Sequence, residues 1–122
     1  EKSIDTGPIY LKKPLSLDGT AAEIFQRACK IIEKMIHQII EEEIQPKEQV
    51  GDPVIFKRRK PIDGMMNELK DLSDVYDYIR MLDADGYPPA FIETESLKIE
   101  FFSVAKNNQE ELEANVRITK KK

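Results

Sequence analysis

The feature that most constrains this sequence is a run of apolar residues, Ile24, Phe25, Ala28, Ile31, Ile32, Met35, Ile36, Ile39 and Ile40, that recur in steps of three, four and one. Such steps place them along one side of an α-helix, as a stripe broad enough to face a core. Its start is marked. The Thr20 hydroxyl can accept from the amide three residues on while Glu23 reaches back, the reciprocal pattern of a capping box. Pro46 must end the helix, and Glu41, Glu42 and Glu43 sit unfavourably near its negative pole. Packing of the stripe, rather than local electrostatics, must therefore set this face of the helix.

The other elements are shorter. Pro8-Ile9-Tyr10-Leu11 reads as a buried strand that leaves the turn Asp5-Thr6-Gly7 and closes at Lys12-Lys13-Pro14. The polar stretch Gln45 to Asp52, bounded by Pro46, Gly51 and Pro53, reads as a linker or a change of subdomain. Val54-Ile55-Phe56 is a short strand candidate, and Pro61-Ile62-Asp63-Gly64 is a turn. A second helix is predicted over roughly Ser73 to Leu82, with Val75, Tyr76, Ile79 and Leu82 on one side and Asp74, Asp77 and Arg80 on the other; Gly86 and Pro88 close it. Strands are predicted over Ala90–Thr94, Leu97–Val104 and Leu112–Ile118. In the last, Leu112, Ala114, Val116 and Ile118 alternate with Glu113, Asn115 and Arg117, as in an antiparallel sheet with one wet face.

Composition narrows the function classes. At 122 residues the chain has the size of one modest domain, and its 40% hydrophobic content is too high for a disordered acidic tail. No run reaches the roughly 18 apolar residues of a spanning helix, and no leader pattern opens the chain, so a soluble, cytoplasmic protein with no membrane partner is expected. A single cysteine, Cys29, fits a reducing compartment. The chain begins at Glu1 without an initiator Met and reads as a piece of something longer. Nineteen Lys and Arg against 23 Asp and Glu leave a net charge of -4, which argues against a nucleic-acid partner. Two local basic runs, Lys57-Arg58-Arg59-Lys60 and Lys120-Lys121-Lys122, keep a phosphate-facing patch open; their simpler reading is a solvated edge and a frayed tail.

Chemistry-bearing residues are few. His37 falls on the polar face with Glu33, Lys34 and Glu41, with no nucleophile or metal partner around it, and reads as idle. Cys29 borders the apolar stripe as an inert core-edge thiol. One Cys and one His do not make a metal site, and no metal is expected. Asp5-Thr6-Gly7 is an ordinary Asx-type turn or, held in a desolvated pocket, an acid able to relay a proton. The aspartic-protease triplet of the same letters does not fit, because Asp5 stands near the N-terminus and a long helix follows.

Taken in order, several segments carry a resemblance. Asp5-Thr6-Gly7-Pro8-Ile9, Lys12 to Leu17, and Thr20-Ala21 leading into the helix resemble the end of a folate-dependent formyltransferase catalytic domain. Phe56-Lys57-Arg58-Arg59-Lys60-Pro61-Ile62-Asp63, Tyr78-Ile79-Arg80-Met81-Leu82 and Gly86-Tyr87-Pro88-Pro89-Ala90-Phe91 resemble the C-terminal region of the same family, which includes methionyl-tRNA formyltransferase and sugar-nucleotide N-formyltransferases. The likeness runs from Asp5 to about Val104.

The resemblance implies an α+β chain. Residues 1–45 would be the end of an α/β, Rossmann-like catalytic domain, a strand plus the long helix; residues 46–122 would be a small, mostly antiparallel β, barrel-like module with one helix. It implies 10-formyltetrahydrofolate as formyl donor, bound mainly outside this chain, and a primary amine as acceptor. In the family an Asn, a His and an Asp surround that amine. Asp5 matches the Asp, whereas the other two have no counterpart here and His37 does not occupy the family's His position, so the chain alone is expected to be inactive. The acidic charge favours an amino-sugar nucleotide as acceptor, with methionyl-tRNA as the alternative kept open by Arg58, Arg59 and Arg80. The Phe-x-Arg-Arg-x-Pro segment reads equally as a hinge. A reading of another class is a non-catalytic binding or dimerisation module in which the helical stripe and the β-hairpins bury against a partner, a homodimer included.

Overall fold

A computed structural model describes residues 5–108 and 110–121. Its elements are α1 (Ala21–Glu41), a 3-10 turn (Pro61–Gly64), α2 (Leu72–Leu82), β1 (Phe91–Glu93), β2 (Leu97–Lys106) and β3 (Leu112–Lys120). They fall into two compact units, one of Glu1–Leu17 with Ile24–Lys57, the other of Asp18–Glu23 with Arg58–Lys122. The chain passes between them after Leu17, Glu23 and Lys57.

The first unit is built on α1 from Ile24 onward, the first turn of the helix and its cap belonging to the second. The expected capping box forms, with Thr20 N–H donating to Glu23 Oε2 at 2.8 Å and Glu23 N–H to Thr20 Oγ1 at 3.3 Å. The helix stops at Glu41, before Pro46 is reached. Three successive glutamates at the negative pole end it early, since each adds repulsion where the carbonyls already point. The stripe is only partly covered. Ala28, Ile31 and Met35 are half-buried, while Phe25, Ile32, Ile36 and Ile40 are exposed, Ile40 by 77%. This corrects the expectation of a whole stripe against a core.

Pro8–Leu11 is not a strand. Ile9 alone makes an antiparallel bridge to Lys47, with N–H···O distances of 2.7 and 2.9 Å. Gln49 tightens the same contact, its Nε2 donating to the carbonyls of Asp5 at 3.0 Å and Gly7 at 2.7 Å. The stretch expected as a linker is thus folded back onto the N-terminal segment. Val54-Ile55-Phe56 is no strand either. These residues are 75%, 88% and 87% exposed, because no neighbouring strand meets them. The Rossmann-like part expected for residues 1–45 is accordingly not in this chain: among the described residues no strand belongs to a parallel sheet.

The second unit packs α2 against a three-stranded antiparallel sheet of order β1-β2-β3, which is the expected α+β module without closure into a barrel. Asp71 caps α2 by accepting from the N–H and the hydroxyl of Ser73, both at 2.7 Å. Those bonds favour its ionised form and hold the carboxyl below the usual aspartate range. Asp71→Ala is expected to lower the melting temperature of this unit, and Asp71→Asn, which still accepts, to lower it less. Met66, Ile79, Leu82 and Ala90 form the core, with Leu69, Val75, Tyr78, Ile92, Phe101, Val104 and Ala114 packed around it.

The register pairs Ile92 with Ile99, Ile99 with Ile118 and Phe101 with Val116, so these apolar residues share one face of the sheet. An irregularity between Phe102 and Ala105 breaks the ladder; there Ser103 takes φ 51° and donates its N–H to Asp83 Oδ2 at 2.8 Å. The single wet face expected for the last strand is not found. Val116 and Ile118 are 51% and 58% exposed, because the helix covers the sheet only as far as Ala114.

The opposite face is held by charge. Glu100, 9% exposed, accepts from Lys98 Nζ at 3.0 Å and Arg117 Nε at 2.8 Å. Burial alone would push its carboxyl up, but the hydrogen bonds and charges of Lys98 and Arg117 outweigh it and leave it below the ordinary glutamate range. A carboxyl lowered on folding stabilises the protein above its unfolded value and ceases to do so as pH falls through the folded one. Stability should therefore decline as pH drops below about 4.5. Glu100→Gln should cost about 1–3 kcal/mol at pH 7 and much less at pH 3, as read by urea titration at both.

Candidate functional site

The basic run enters the 3-10 turn directly, and the turn fixes the geometry of the run's end. Asp63 accepts from the Lys60 N–H at 2.7 Å, and Arg59 Nη2 donates to the Asp63 carbonyl at 2.6 Å. The Arg59 guanidinium also lies 5.4 Å from the centre of the Tyr78 ring on α2. Gly64 allows the turn to approach the end of α2. A Cβ there would stand 3.2 Å from Leu82 Cδ1 and 3.4 Å from the Pro89 carbonyl, so a larger residue would open the contact.

Between the turn and the segment after α2 lies a cleft of about 450 Å³. Arg58, Arg59 and Lys60 line one side, Tyr87 and Pro88 the other, and Leu82 with Gly64 the floor. Gly86, with φ 79°, turns the chain to bring Tyr87 there. Three exposed cations beside an aromatic ring suit a phosphate, with a flat group against the ring.

Arg80 does not join this cleft. Its side chain is 16% exposed, its Nε bonds Asp77 at 2.6 Å, its Nη1 bonds the Gly19 carbonyl at 2.9 Å, and it lies over the Tyr76 ring at 5.7 Å. It borders a separate depression with Thr20, Glu23, Asp83 and Ser103, where it ties the 18–23 segment to α2. The structure thus brings Arg58 and Arg59 together and sets Arg80 apart.

Asp5 belongs to the other unit. It is exposed in this chain, and Gln49 holds its backbone carbonyl. Its φ of 63° is a conformation that Asp and Asn tolerate better than most residues. His37 and Cys29 are both exposed on α1, so Cys29 is not the core-edge thiol expected. Among the described residues no group of three or more His, Cys, Asp or Glu is placed to hold a metal ion, and no helix is long and apolar enough to cross a membrane.

The sequence analysis names Tyr78, Asp63 and Tyr87 only within the segments that carry the resemblance and gives none of them a role at the site. For Asp63 a signal was present, an acid three residues after Lys60 with Pro61 between, which is the pattern of a capped turn. Tyr78 and Tyr87 carry no local mark, since what they face depends on the packing of α2.

Residues 61–119 match the family described as methionyl-tRNA formyltransferase, C-terminal domain. A solved structure, methionyl-tRNA formyltransferase from Clostridium thermocellum, is similar with a TM-score of 0.92 and 41% identity, over 99% of this chain and 53% of that one. The chain matches the C-terminal portion of the formyltransferase family. It spans about half the length of the solved structure it resembles. No curated protein matches it. The match runs from Pro61 to Thr119, so the matched region holds the 3-10 turn, α2 and nearly all of the three strands, and Arg58, Arg59 and Lys60 lie immediately before it. The amino-sugar nucleotide expected from the acidic charge finds no support in these matches; both carry the name of the alternative, methionyl-tRNA formyltransferase. Net charge misdirected that expectation because it sums over the whole chain, whereas a phosphate responds to the cations within about a Debye length, about 8 Å at physiological salt.

Proposed function

We propose that the protein carrying this chain is an N-formyltransferase whose acceptor is the amino group of methionyl-tRNA. The likeness over 99% of the chain to a protein of that name carries this reading, and the cleft supports it by placing Arg58, Arg59 and Lys60 where they can meet acceptor phosphates. The sequence resemblance supplies 10-formyltetrahydrofolate as donor. The described residues do not fit it. No buried polar side chain among them lacks a partner that a pterin could satisfy, and the groove along α1 is lined by Leu11, Leu15, Ala28, Ile31 and Met35 together with Lys12 and Lys13. The donor would be held by other residues, and no step through it follows from these.

What this chain contributes is orientation of the acceptor and, at Asp5, a carboxylate able to take a proton from the attacking amine through a water or a neighbouring base. By itself the 122-residue chain should show no turnover.

The test is formylation of methionyl-tRNA by the full-length enzyme as salt rises. Three phosphate contacts predict a loss of acceptor affinity on the order of 40-fold between about 50 and about 200 mM salt. The double variant Arg58→Glu, Arg59→Glu should raise KM for the acceptor at least about tenfold, leave kcat near its original value and flatten the salt dependence. Salt-independent KM, or turnover with an amino-sugar nucleotide in place of methionyl-tRNA, would refute the acceptor assignment.

A further inference from the structure

The cleft beside the basic run offers two kinds of surface, and a phosphate uses only one. Arg58, Arg59 and Lys60 supply charge and donors, whereas Leu82, the bare backbone of Gly64 and the ring of Tyr87 supply apolar and aromatic surface. At about 450 Å³ the space exceeds what an anion alone would fill and suits a small organic molecule. Tyr87 is 48% exposed, so burial in a core does not account for the position of its ring. A ligand that uses both surfaces must be anionic at one end and flat at the other.

Both walls are set in advance. Gly86, with φ 79°, turns the chain, Tyr87 N–H donates to the Ala84 carbonyl at 3.1 Å, and the two prolines that follow restrict the backbone on either side of the Tyr87–Pro88 bond. The opposite wall is fixed by Arg59, whose Nη2 donates to the Asp63 carbonyl at 2.6 Å while its guanidinium stands 5.4 Å from the centre of the Tyr78 ring. Beside it, Arg58 and Lys60 form no ion pair among the described residues. The aromatic wall therefore has little backbone freedom to lose on binding, and two of the cations are not already neutralised.

We propose that the cleft seats one whole unpaired nucleotide of the acceptor tRNA, with its phosphate on Arg58 and Lys60 and its base stacked on the Tyr87 ring. The inference rests on methionyl-tRNA being the acceptor. It makes Tyr87 a binding residue indifferent to base identity, since every base has a π-face, but selective for single-stranded RNA, since a paired base keeps its faces inside the helix. Cations alone would meet the phosphates of paired and unpaired strands alike. The tyrosine adds a distinction that charge does not supply.

Calorimetric titration of the full-length enzyme with adenosine 5′-monophosphate, cytidine 5′-monophosphate and ribose 5-phosphate tests this without any variant. Both nucleotides are expected to bind at least about tenfold more tightly than the sugar phosphate, the difference a stacked base makes. Tyr87→Leu, which keeps apolar bulk, should reduce both to the affinity of ribose 5-phosphate, and Tyr87→Trp should restore them. In formylation at rising salt, Tyr87→Leu should raise KM for methionyl-tRNA about tenfold with the salt slope unchanged, because stacking releases no counterion, whereas Arg58→Glu flattens the slope. Equal affinity for the three probes overturns the proposal, as does a Tyr87→Leu enzyme whose KM is that of the wild type. In either case, formylation of methionyl-tRNA that weakens with salt leaves the acceptor assignment standing. An enzyme that binds the nucleotides through Tyr87 but does not formylate methionyl-tRNA overturns both.

Discussion

Asp5→Asn in the full-length enzyme is expected to cut kcat by about 10²–10⁴-fold while leaving donor binding within a factor of about two. The substitution is chosen because it leaves the local structure intact. Asn accepts the left-handed conformation that Asp5 holds, with φ 63°, and the Gln49 clamp grips backbone carbonyls rather than the carboxylate. What is lost is the ability to take a proton. A fall in kcat with unchanged KM therefore reports chemistry, whereas a rise in KM for both substrates would report damage to the clamp. Gln49→Ala supplies the comparison: it frees the turn without touching the carboxylate and should act mainly on KM. Near-normal kcat for Asp5→Asn would remove Asp5 from the proposed mechanism.

Ile79→Ala should be the most damaging single truncation for stability, at about 2–5 kcal/mol. Ile79 is 2% exposed and, among the described residues, shares its core cluster with three other buried members, Met66, Leu82 and Ala90. A cavity there has few neighbours able to relax into it, and the cost is a large share of the roughly 5–15 kcal/mol that holds a domain together. The matched control is Ile40→Ala on α1, 77% exposed, which should change stability by less than about 0.5 kcal/mol. Urea unfolding of both variants gives the contrast. A cost below about 1 kcal/mol for Ile79→Ala would mean that the second unit is not organised around this residue.

The difference between those two isoleucines is also where sequence reading reached its limit. Both occupy apolar positions of an amphipathic helix, and periodicity treats them alike. Legible in advance were the elements with strong local signals: α1 from its stripe and capping box, α2 from its period and the following Gly86 and Pro88, and three strands, the last from its alternation. The failures share a cause. Pro8–Leu11 and Val54–Phe56 are apolar enough for strands, but a strand exists only through a neighbour, and neither has one beyond the single bridge to Lys47. Likewise Arg58 and Arg80 look equivalent as isolated cations, yet one lines a cleft while the other is committed to Asp77 and Gly19.

By itself, then, the sequence determined what is encoded within a few residues: where helices begin, which turns need Gly or Pro, which runs alternate, and the ordered short motifs that resemble a formyltransferase C-terminal region. Only the tertiary structure decided which apolar residues are covered and which cations face a cleft. Burial and hydrogen bonding are relations between segments far apart in the chain, so no local pattern contains them.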